Sequence, residues 1–427
     1  MLQTLFYIPA SVEISGMEVP VIGFGLLLAV WAVFSVGLMA WLWKKNGINS
    51  DTLGYIPLMA VVAAVIWFVL PAISEAEGLP IRAYGVMMLL AAVSGTMLAA
   101  WRAKRVGLDP EMIFSLAFWM IGLGIVGARA FYVIQYWQQS FHKPTIGETV
   151  SAIIRVNEGG LVVYGSFFGA VAAIIIFVRR NRLPLLPICD LLAPSIMLGL
   201  SLGRIGCLLN GCCYGGACDL PWSVTFPHGS PPHRHQVLHD DLPVGGMILA
   251  AGDNSAVVVE KVEPDSAAAK AGVQSGEHIA RINGYPVVNV HDAKHRLLFH
   301  INPGEQLEVA TDAGKTHAWT VPEALPRSNP VHPTQIYSTL SALFVFTVLM
   351  LWSPRQRRDG ELFALLLTVY PVVRFILEMI RTDEASLWGT GMTISQNVSL
   401  LMLMCAAALW VYILRRPAER TLGSKRS

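Results

Sequence analysis

Long apolar runs recur along the chain and are separated by short polar segments. A helix needs about 20 mostly apolar residues to cross a bilayer. Nine runs approach that length, at 20–43, 54–73, 82–101, 112–136, 161–178, 188–209, 335–352, 362–381 and 398–414. The pattern predicts an all-α polytopic membrane protein with about nine transmembrane helices.

Basic residues follow the first, third, fifth, seventh and ninth runs, and they predict how the runs are oriented in the membrane. The clusters are Lys44/Lys45, Arg102/Lys104/Arg105, Arg179/Arg180/Arg182, Arg355/Arg357/Arg358 and Arg415/Arg416/Arg420. Because Lys and Arg accumulate on the cytoplasmic side, we expect the N-terminus outside and the C-terminus inside a cytoplasmic (inner) membrane. We expect no cleavable signal peptide, since a basic n-region is missing and the first run has spanning length.

Composition agrees with a bilayer as the solvent. The 427 residues are 54% hydrophobic and 14% charged, with a mean hydropathy of +0.53. The formal net charge of +2 gives no indication of a nucleic-acid partner. Partners should therefore be lipids or membrane-delivered substrates.

The first two runs resemble a degenerate copy of the next two, so that 1–79 repeats 80–136. At an offset of 60 residues, Pro20, Gly25, Leu38, Trp41, Lys44 and Gly47 align with Pro80, Gly85, Leu98, Trp101, Lys104 and Gly107. Only the second copy carries Arg82, Tyr84 and Arg129. The alternative is a coincidence of Trp and Lys anchors, which commonly flank spans.

A few polar residues interrupt the apolar runs. They are Tyr370, Arg374, Glu378 and Arg381 in the eighth run, Arg204 within Gly203-Arg204-Ile205-Gly206 in the sixth, and Arg129 in the fourth. The four in the eighth run are spaced by four, four and three, so they share one helical stripe. Charges at the bilayer centre cost about 2.5 kcal/mol or more. The surplus of arginine favours an anionic ligand; an internal Arg–Glu network is the alternative.

Several sequence blocks, taken in order, resemble the prolipoprotein diacylglyceryl transferase family. They are IRAYGVMMLL (81–90), GARAFYVI (127–134), GGLVVYGSFFG (159–169), GRIGCLLNGCCYGG (203–216), HPTQIYS (332–338) and YPVVRFILEMIR (370–381). Blocks that recur in order are more specific than any one alone. The resemblance covers about 80–226 and 326–414.

This resemblance implies an enzyme without a cofactor or a metal. Such an enzyme transfers the diacylglyceryl group of phosphatidylglycerol to the lipobox cysteine of preprolipoproteins and releases glycerol phosphate. Arg204 and Arg374 match essential arginines, which are implied to hold the lipid phosphate. The other implied catalytic residues are Tyr370, Glu378 and Tyr164, and the implied substrate-binding residues are Tyr84, Arg129, Gly203, Gly206, Asn210, Gly215, His332, Gln335, Tyr337 and Arg381.

Three positions depart from the family pattern. Tyr164 replaces a His, Cys207 an Asn and Cys212 a Glu. A phenol with a pKa of about 10 is a poor base at neutral pH, so we expect Tyr164 only to donate a hydrogen bond. We expect transfer to be retained because the arginines are present. The alternatives are an altered or inactive paralogue acting as a lipid-binding or PDZ scaffold, and a transporter.

Cysteine and histidine crowd the segment after the sixth run. The residues are Cys207, Cys212, Cys213, Cys218, His228, His233, His235 and His239. Such crowding can bind zinc, but no Cys-x2-Cys pair is present and an oxidising exterior favours a disulfide. We expect free thiols or a disulfide here and, in HGSPPHRHQVLH (228–239), a solvated loop.

Residues 244–323 are predicted to form an extracytoplasmic α+β insert that divides the seven-helix core into 80–243 and 324–427. The pattern over 257–287 indicates strand, turn, short helix, turn and strand. Ala271-Gly272-Val273, Ser275-Gly276-Glu277 and Ile282-Asn283-Gly284 resemble a bacterial PDZ domain. That resemblance implies a C-terminal or extended peptide ligand, with its carboxylate held by Gly245, Gly246, Met247 and Ile248. Alternatively, the insert only packs against the mouth of the site.

Overall fold

The structure is a computed structural model. It describes residues 3–14, 16–47, 50–53, 55–75, 78–142, 145–155, 160–252, 256–323, 325–381 and 392–422. Gly159, the first residue of one sequence block above, lies outside these ranges. The chain forms two compact units, Met1–Met87 and Met88–Ser427, which we describe separately.

The N-terminal unit combines short strands with helices. Its elements are β1 (Thr4–Ile8), β2 (Ser11–Ile14), β3 (Met17–Pro20), α1 (Leu26–Asn46), α2 (Ser50–Leu53), α3 (Tyr55–Ala64), a π-helical turn (Val65–Val69), α4 (Leu70–Ala72) and β4 (Leu79–Arg82). Strand β1 pairs with β4 and β2 with β3, both antiparallel. The apolar pattern predicted a helix from residue 20. Instead the chain turns tightly before α1, since a Cβ atom at Gly25 would lie 2.1 Å from the carbonyl oxygen of Pro20.

The remaining helices belong mainly to the second unit. They are α5 (Ala83–Arg105), α6 (Pro110–Gln135), α7 (Ile146–Ile154), α8 (Val163–Arg180), α9 (Leu185–Asn210), α10 (Pro231–Leu238), α11 (Ala267–Lys270), α12 (Val290–Phe299), α13 (Thr334–Trp352), α14 (Glu361–Glu378) and α15 (Ile394–Leu414). Within the described ranges, eight helices are long and apolar enough to cross a membrane. The eighth predicted run forms α14, which is of similar length but carries Glu361, Arg374 and Glu378. The prediction of a helical, multi-pass protein is confirmed.

Helices α6 and α8 cross closely because glycines line their contact. A Cβ atom at Gly165 would lie 2.3 Å from the carbonyl oxygen of Gly127. One at Gly169 would lie 2.1 Å from that of Leu123. Small residues allow such close backbone approach between membrane helices, so the glycines of two sequence blocks fix this crossing.

Helix α9 lies beside α13 and α14, and a buried carboxylate fixes the start of α14 against it. Asp190 of α9 accepts hydrogen bonds from the backbone N–H groups of Gly360, at 2.5 Å, and Phe363, at 2.8 Å. Gln356 donates a third at 2.5 Å. These bonds satisfy helix N-terminal donors that would otherwise be unpaired. Asp190 was not predicted from the sequence as a structural or functional residue.

The insert is a six-stranded antiparallel sheet with two helices, α11 and α12. Its strands are β5 (Met247–Ala251), β6 (Val257–Val262), β7 (His278–Ile282), β8 (Tyr285–Pro286), β9 (Gln306–Thr311) and β10 (Thr316–Thr320). The order is β10-β9-β7-β6-β5, with β8 paired to β7. Its core is fully buried around Met247, Leu249, Val259, Leu297 and Leu307. The predicted strand, short helix and strand at 257–287 are confirmed.

The two connections of the insert run side by side. Val224 on the outgoing segment pairs antiparallel with Val331 on the returning one. The Phe226 N–H donates to Ser328 Oγ at 2.8 Å, and both atoms are buried. The insert therefore leaves and rejoins the helical core at neighbouring points.

The histidine-rich segment is not the solvated loop that we expected. Most of it forms α10 (Pro231–Leu238), with Pro231 at the first helical position, and His233 is 0% exposed. Burial, together with the neighbouring His228, lowers the pKa of His233 to about 4. Helix α10 packs against α12 of the insert, and this tertiary contact overrides the polar composition.

Candidate active site

A small cavity lies between α9, α13 and α14. Its lining consists of Leu200 and Arg204 from α9, Ser338 and Ser341 from α13, and Tyr370, Val373, Arg374 and Leu377 from α14. Three of the predicted catalytic residues, Arg204, Tyr370 and Arg374, therefore meet in one place. The lining combines two guanidinium groups and three hydroxyls with apolar walls, which suits a charged group carried on a lipid.

Arg374 presents an unused donor inside the protein. Its Nη2 lies 2.7 Å from Glu378 Oε2 and donates to Ser395 Oγ at 2.9 Å. Its Nη1 is buried and donates to no described residue. A buried donor left unpaired costs about 1–3 kcal/mol. An anion in the cavity would remove that cost.

Glu378 connects the polar residues of α14. Its side chain is 0% exposed, and its Oε2 lies 2.7 Å from Arg374 and 3.7 Å from Nη1 of Arg381, just beyond the helix end. The stripe predicted from the spacing is confirmed, and so is an Arg–Glu network within it. Arg204 forms no ion pair with any described residue, so it adds positive charge to the cavity.

The loop after α9 is held by the start of α13. Gln335 Nε2 donates to the carbonyl oxygen of Cys212 at 2.7 Å. Thr334 Oγ1 donates to that of Cys213 at 2.6 Å. The two sequence blocks that supply these residues thus form a single structural unit beside the cavity.

Gly215, His332 and Tyr337 shape the same loop. The Gly215 N–H donates to the His332 carbonyl oxygen at 3.0 Å. A Cβ atom at Gly215 would lie 2.7 Å from the His332 side chain, which explains the glycine. Tyr337 Oη accepts a hydrogen bond from Trp222 at 2.8 Å and lies 3.4 Å from His332 Nδ1. These contacts give the predicted substrate-binding residues a supporting position around the loop.

Other predicted residues lie along α9 and α5. Gly203 faces Met88, whose Sδ would be 3.7 Å from an added Cβ atom, and Gly206 is buried. Asn210 ends α9, and its side chain forms a hydrogen bond with the Cys212 thiol. Tyr84 lies in the first turn of α5, within the N-terminal unit.

Three thiols gather at the end of α9. The sulfur atoms of Cys207, Cys212 and Cys213 all lie within 4.8 Å of one another. Hydrogen bonds from Cys207 and Cys212, and then the charges of Arg204 and Arg381, lower the pKa of the Cys213 thiol. In the described part of the chain, Cys218 and the four histidines of 228–239 are not members of this cluster.

Arg129 lies on α6 and Tyr164 at the start of α8. Arg129 donates to the carbonyl oxygens of Ala152 at 2.8 Å, Ile153 at 2.9 Å, Arg155 at 2.9 Å and Gly160 at 3.1 Å. Tyr164 lies in the first turn of α8 and is 37% exposed. Neither side chain belongs to the described lining of the cavity.

The serine hydroxyls of the site were not predicted from the sequence. Ser338 and Ser341 line the cavity, and Ser395 of α15 holds Arg374. The spacing of three between Ser338 and Ser341 on an apolar helix was a usable signal, since residues at that spacing share a face.

Known proteins resemble the chain over most of its length. The family model described as prolipoprotein diacylglyceryl transferase matches residues 71–412. A protein from Rhodopirellula baltica is 37% identical over 99% of this chain and 91% of its own length. One from Trichormus variabilis is 24% identical over 83% of this chain and 94% of its own. Both are named phosphatidylglycerol–prolipoprotein diacylglyceryl transferase. The chain belongs to the prolipoprotein diacylglyceryl transferase family.

Proposed function

We propose that this chain transfers the diacylglyceryl group of phosphatidylglycerol to the lipobox cysteine thiol of preprolipoproteins. Membership of the family supports this function, as do relatives named for that reaction. The observation that carries it is the meeting of Arg204 and Arg374, from two helices, at one cavity that also contains the Tyr370 hydroxyl. The chain is accordingly an enzyme of lipoprotein biosynthesis.

The reaction makes clear what the arginines have to do. A C–S bond forms to the lipid carbon, the C–O bond to phosphate breaks, and glycerol phosphate leaves with the electron pair. Negative charge therefore grows on the phosphate in the transition state. Arg204 and Arg374 are proposed to stabilise that charge with planar, charged donors in a site of low dielectric constant. Nη1 of Arg374 is already buried without a hydrogen bond to a described residue.

Glu378 and Tyr164 are given secondary roles. The buried Glu378 pairs with Arg374 at 2.7 Å and is proposed to fix the orientation of its guanidinium group. Tyr164, at the start of α8, is proposed to donate a hydrogen bond during the reaction. Neither role requires Tyr164 to act as a base.

Transfer by the purified protein tests the proposal. Phosphatidylglycerol labelled in its acyl chains should convert a lipobox peptide into a labelled thioether product. A peptide with serine in place of the lipobox cysteine should give none, and labelled phosphatidylcholine should not replace phosphatidylglycerol. If the protein bound phosphatidylglycerol but produced no thioether, a lipid-binding or scaffold paralogue would be the better description.

We also propose that the cavity lies toward the outer leaflet of a cytoplasmic membrane, with the N-terminus outside and the C-terminus inside. Basic residues occupy the last turns of α1, α5 and α8, at Lys44, Arg102 and Arg180 among others. Arg204 lies at the opposite end of α9 from its cytoplasmic start. A C-terminal tag should be cleaved by protease in inverted vesicles and protected in intact spheroplasts; the reverse would invert the topology.

The insert is proposed to bind an extended peptide through strand β5. This strand lies at one edge of the sheet, next to α12. Edge strands offer unpaired backbone groups to an added strand. Gly245 and Gly246 precede β5 with φ of 61° and 86°, a conformation that favours glycine. With Met247 and Ile248, this turn is proposed to hold the terminal carboxylate.

Peptide binding can be tested with a matched pair of glycine variants. Labelled peptides that end in a free valine should bind the full chain, and amidation of that valine should weaken binding. Gly246→Val should also weaken it, because a Cβ atom there lies 2.8 Å from Ser266. Gly314→Val is the control, with φ of 78° and open space around it. Equal binding of free and amidated peptides would refute the carboxylate site and favour an insert that only packs against the core.

A further inference from the structure

Cys207, Cys212 and Cys213 are brought together by the way α9 ends. Gly211 adopts φ of 81° at the end of the helix, and the Gly211 and Cys212 N–H groups both donate to the Cys207 carbonyl oxygen, at 2.9 and 3.1 Å. The chain thus folds back over the last turn. All three sulfur atoms then lie within 4.8 Å of one another. Hydrogen bonds that Gln335 and Thr334 of α13 donate to the carbonyl oxygens of Cys212 and Cys213 fix this turn.

We propose that these three cysteines bind a Zn²⁺ ion whose fourth position receives the lipobox thiol of the substrate. This inference rests on the proposed transferase function. Zinc–thiolate distances of about 2.3 Å place sulfur ligands roughly 3.8 Å apart around a tetrahedral ion. The three sulfur atoms, all within 4.8 Å of one another, lie close to that spacing. Three protein ligands with one open position are typical of zinc sites that act on a substrate.

The cluster lies near Arg204, one of the two arginines of the cavity. Cys207 follows Arg204 by three residues on α9, so the two share a face of the helix. Arg204 lines the cavity and also acts electrostatically on Cys213. A zinc ion with three thiolates carries one net negative charge, which the positive charge of Arg204 offsets. The lipid phosphate and the metal would then occupy adjacent parts of one site.

The ion would supply what Tyr164 cannot. Attack on the lipid requires a thiolate, and a coordinating thiol is deprotonated by the metal. Binding of the lipobox thiol to Zn²⁺ releases its proton to water. The bound sulfur then forms the C–S bond as glycerol phosphate leaves with the electron pair of the C–O bond. No electrons are gained or lost, so no oxidant or reductant is required.

Metal binding is measured first, without reference to activity. The reduced, metal-free full chain is titrated with Co²⁺, whose visible spectrum reports tetrahedral thiolate ligands. One ion should bind per chain. Affinity should fall by more than about 100-fold in Cys207→Ser and Cys212→Ser, since loss of an outer-shell partner alone costs about 10- to 100-fold. Cys405→Ser, at an exposed position on α15, is the control.

A second readout uses the unmodified protein and remains valid if a variant fails to fold. Zn²⁺ should protect three thiols from alkylation, as counted by mass spectrometry, and a chelator should expose them again. A lipobox peptide should change the Co²⁺ spectrum, whereas its serine counterpart should not. A disulfide among the three cysteines in the active protein, or unchanged spectra with the peptide, would overturn the proposal.

Measurements of transfer activity distinguish a failure of the zinc site from a failure of the proposed transferase function. Chelation should abolish transfer and Zn²⁺ should restore it. Full transfer by chelated protein and by a variant lacking all three thiols would refute the metal site but leave the transferase intact. Absence of transfer under every condition would refute the transferase, whatever the result of the metal titration.

Discussion

Two arginines within the helices of the core occupy contrasting surroundings. Arg129 of α6 donates to four backbone carbonyl oxygens between Ala152 and Gly160. Arg374 of α14 contacts two side chains, Glu378 and Ser395, and keeps Nη1 buried without a described acceptor. An arginine in a membrane helix indicates function by default. The comparison shows that the hydrogen-bond partners of such an arginine indicate whether it holds a loop in place or is available to bind a ligand.

This contrast changes the role that we assign to Arg129. The family resemblance implied a substrate-binding residue, and that remains a prediction. Its described contacts join α6 to the segment that leads into α8, where Tyr164 lies. We therefore expect Arg129 to act mainly as a positioning residue, and Arg204 and Arg374 to act on the lipid phosphate directly.

The largest expected effect belongs to the two cavity arginines. Arg204→Ala or Arg374→Ala should lower transfer by about 100-fold or more, as loss of a donor to developing negative charge does. Lysine at either position should restore little because it lacks the planar fork. Circular dichroism and gel filtration should show folded protein. Arg180→Ala, at an exposed position at the far end of α8, is the control. Normal turnover by Arg204→Ala or Arg374→Ala would contradict a direct role of that arginine in transfer.

An intermediate effect is expected for substitution of Arg129. Arg129→Gln should lower the melting temperature by several degrees and the maximal rate by roughly tenfold, because charged hydrogen bonds of about 1.5–3 kcal/mol each are lost or weakened. The KM for phosphatidylglycerol should change little. A large rise in KM at an unchanged melting temperature would instead place Arg129 on the lipid.

The smallest effect is expected for Tyr164. Tyr164→Phe removes one neutral hydrogen bond, worth about 0.5–1.5 kcal/mol, so transfer should fall by no more than about tenfold. Tyr164→His should be tolerated, since histidine is usual there in the family. If Tyr164→Phe were folded but inactive, its hydroxyl would be chemically required.

Much of the core could be predicted because a single rule governs it. A bilayer requires long apolar helices, and the nine runs correspond to helices within a few residues at most ends. The spacing from Tyr370 to Glu378 placed a polar stripe on α14 correctly. Helix α7 could also have been found. Thr145 caps it by accepting from the Glu148 N–H, and Thr-x-x-Glu is a recognisable start signal.

Other features depend on contacts that no local pattern contains. The burial of His233 results from packing between α10 and its neighbours, although its segment looks polar. The thiol cluster results from the turn at Gly211, since Cys207 and Cys212 show no metal-binding spacing. The convergence of Ser338 with the arginines requires three helices to meet. Sequence spacing shows which residues share a helix face, and the packing of helices decides which faces meet.

Lipid selectivity tests the central claim most directly. Native mass spectrometry would compare binding of phosphatidylglycerol and diacylglycerol, which lacks the phosphate, to the wild-type chain, Arg204→Ala and Arg374→Ala. If both arginines bind the phosphate, each variant should lose about tenfold or more in phosphatidylglycerol affinity, as expected for charge-assisted hydrogen bonds. Diacylglycerol affinity should be unchanged. A variant that kept the wild-type preference for phosphatidylglycerol would contradict the account.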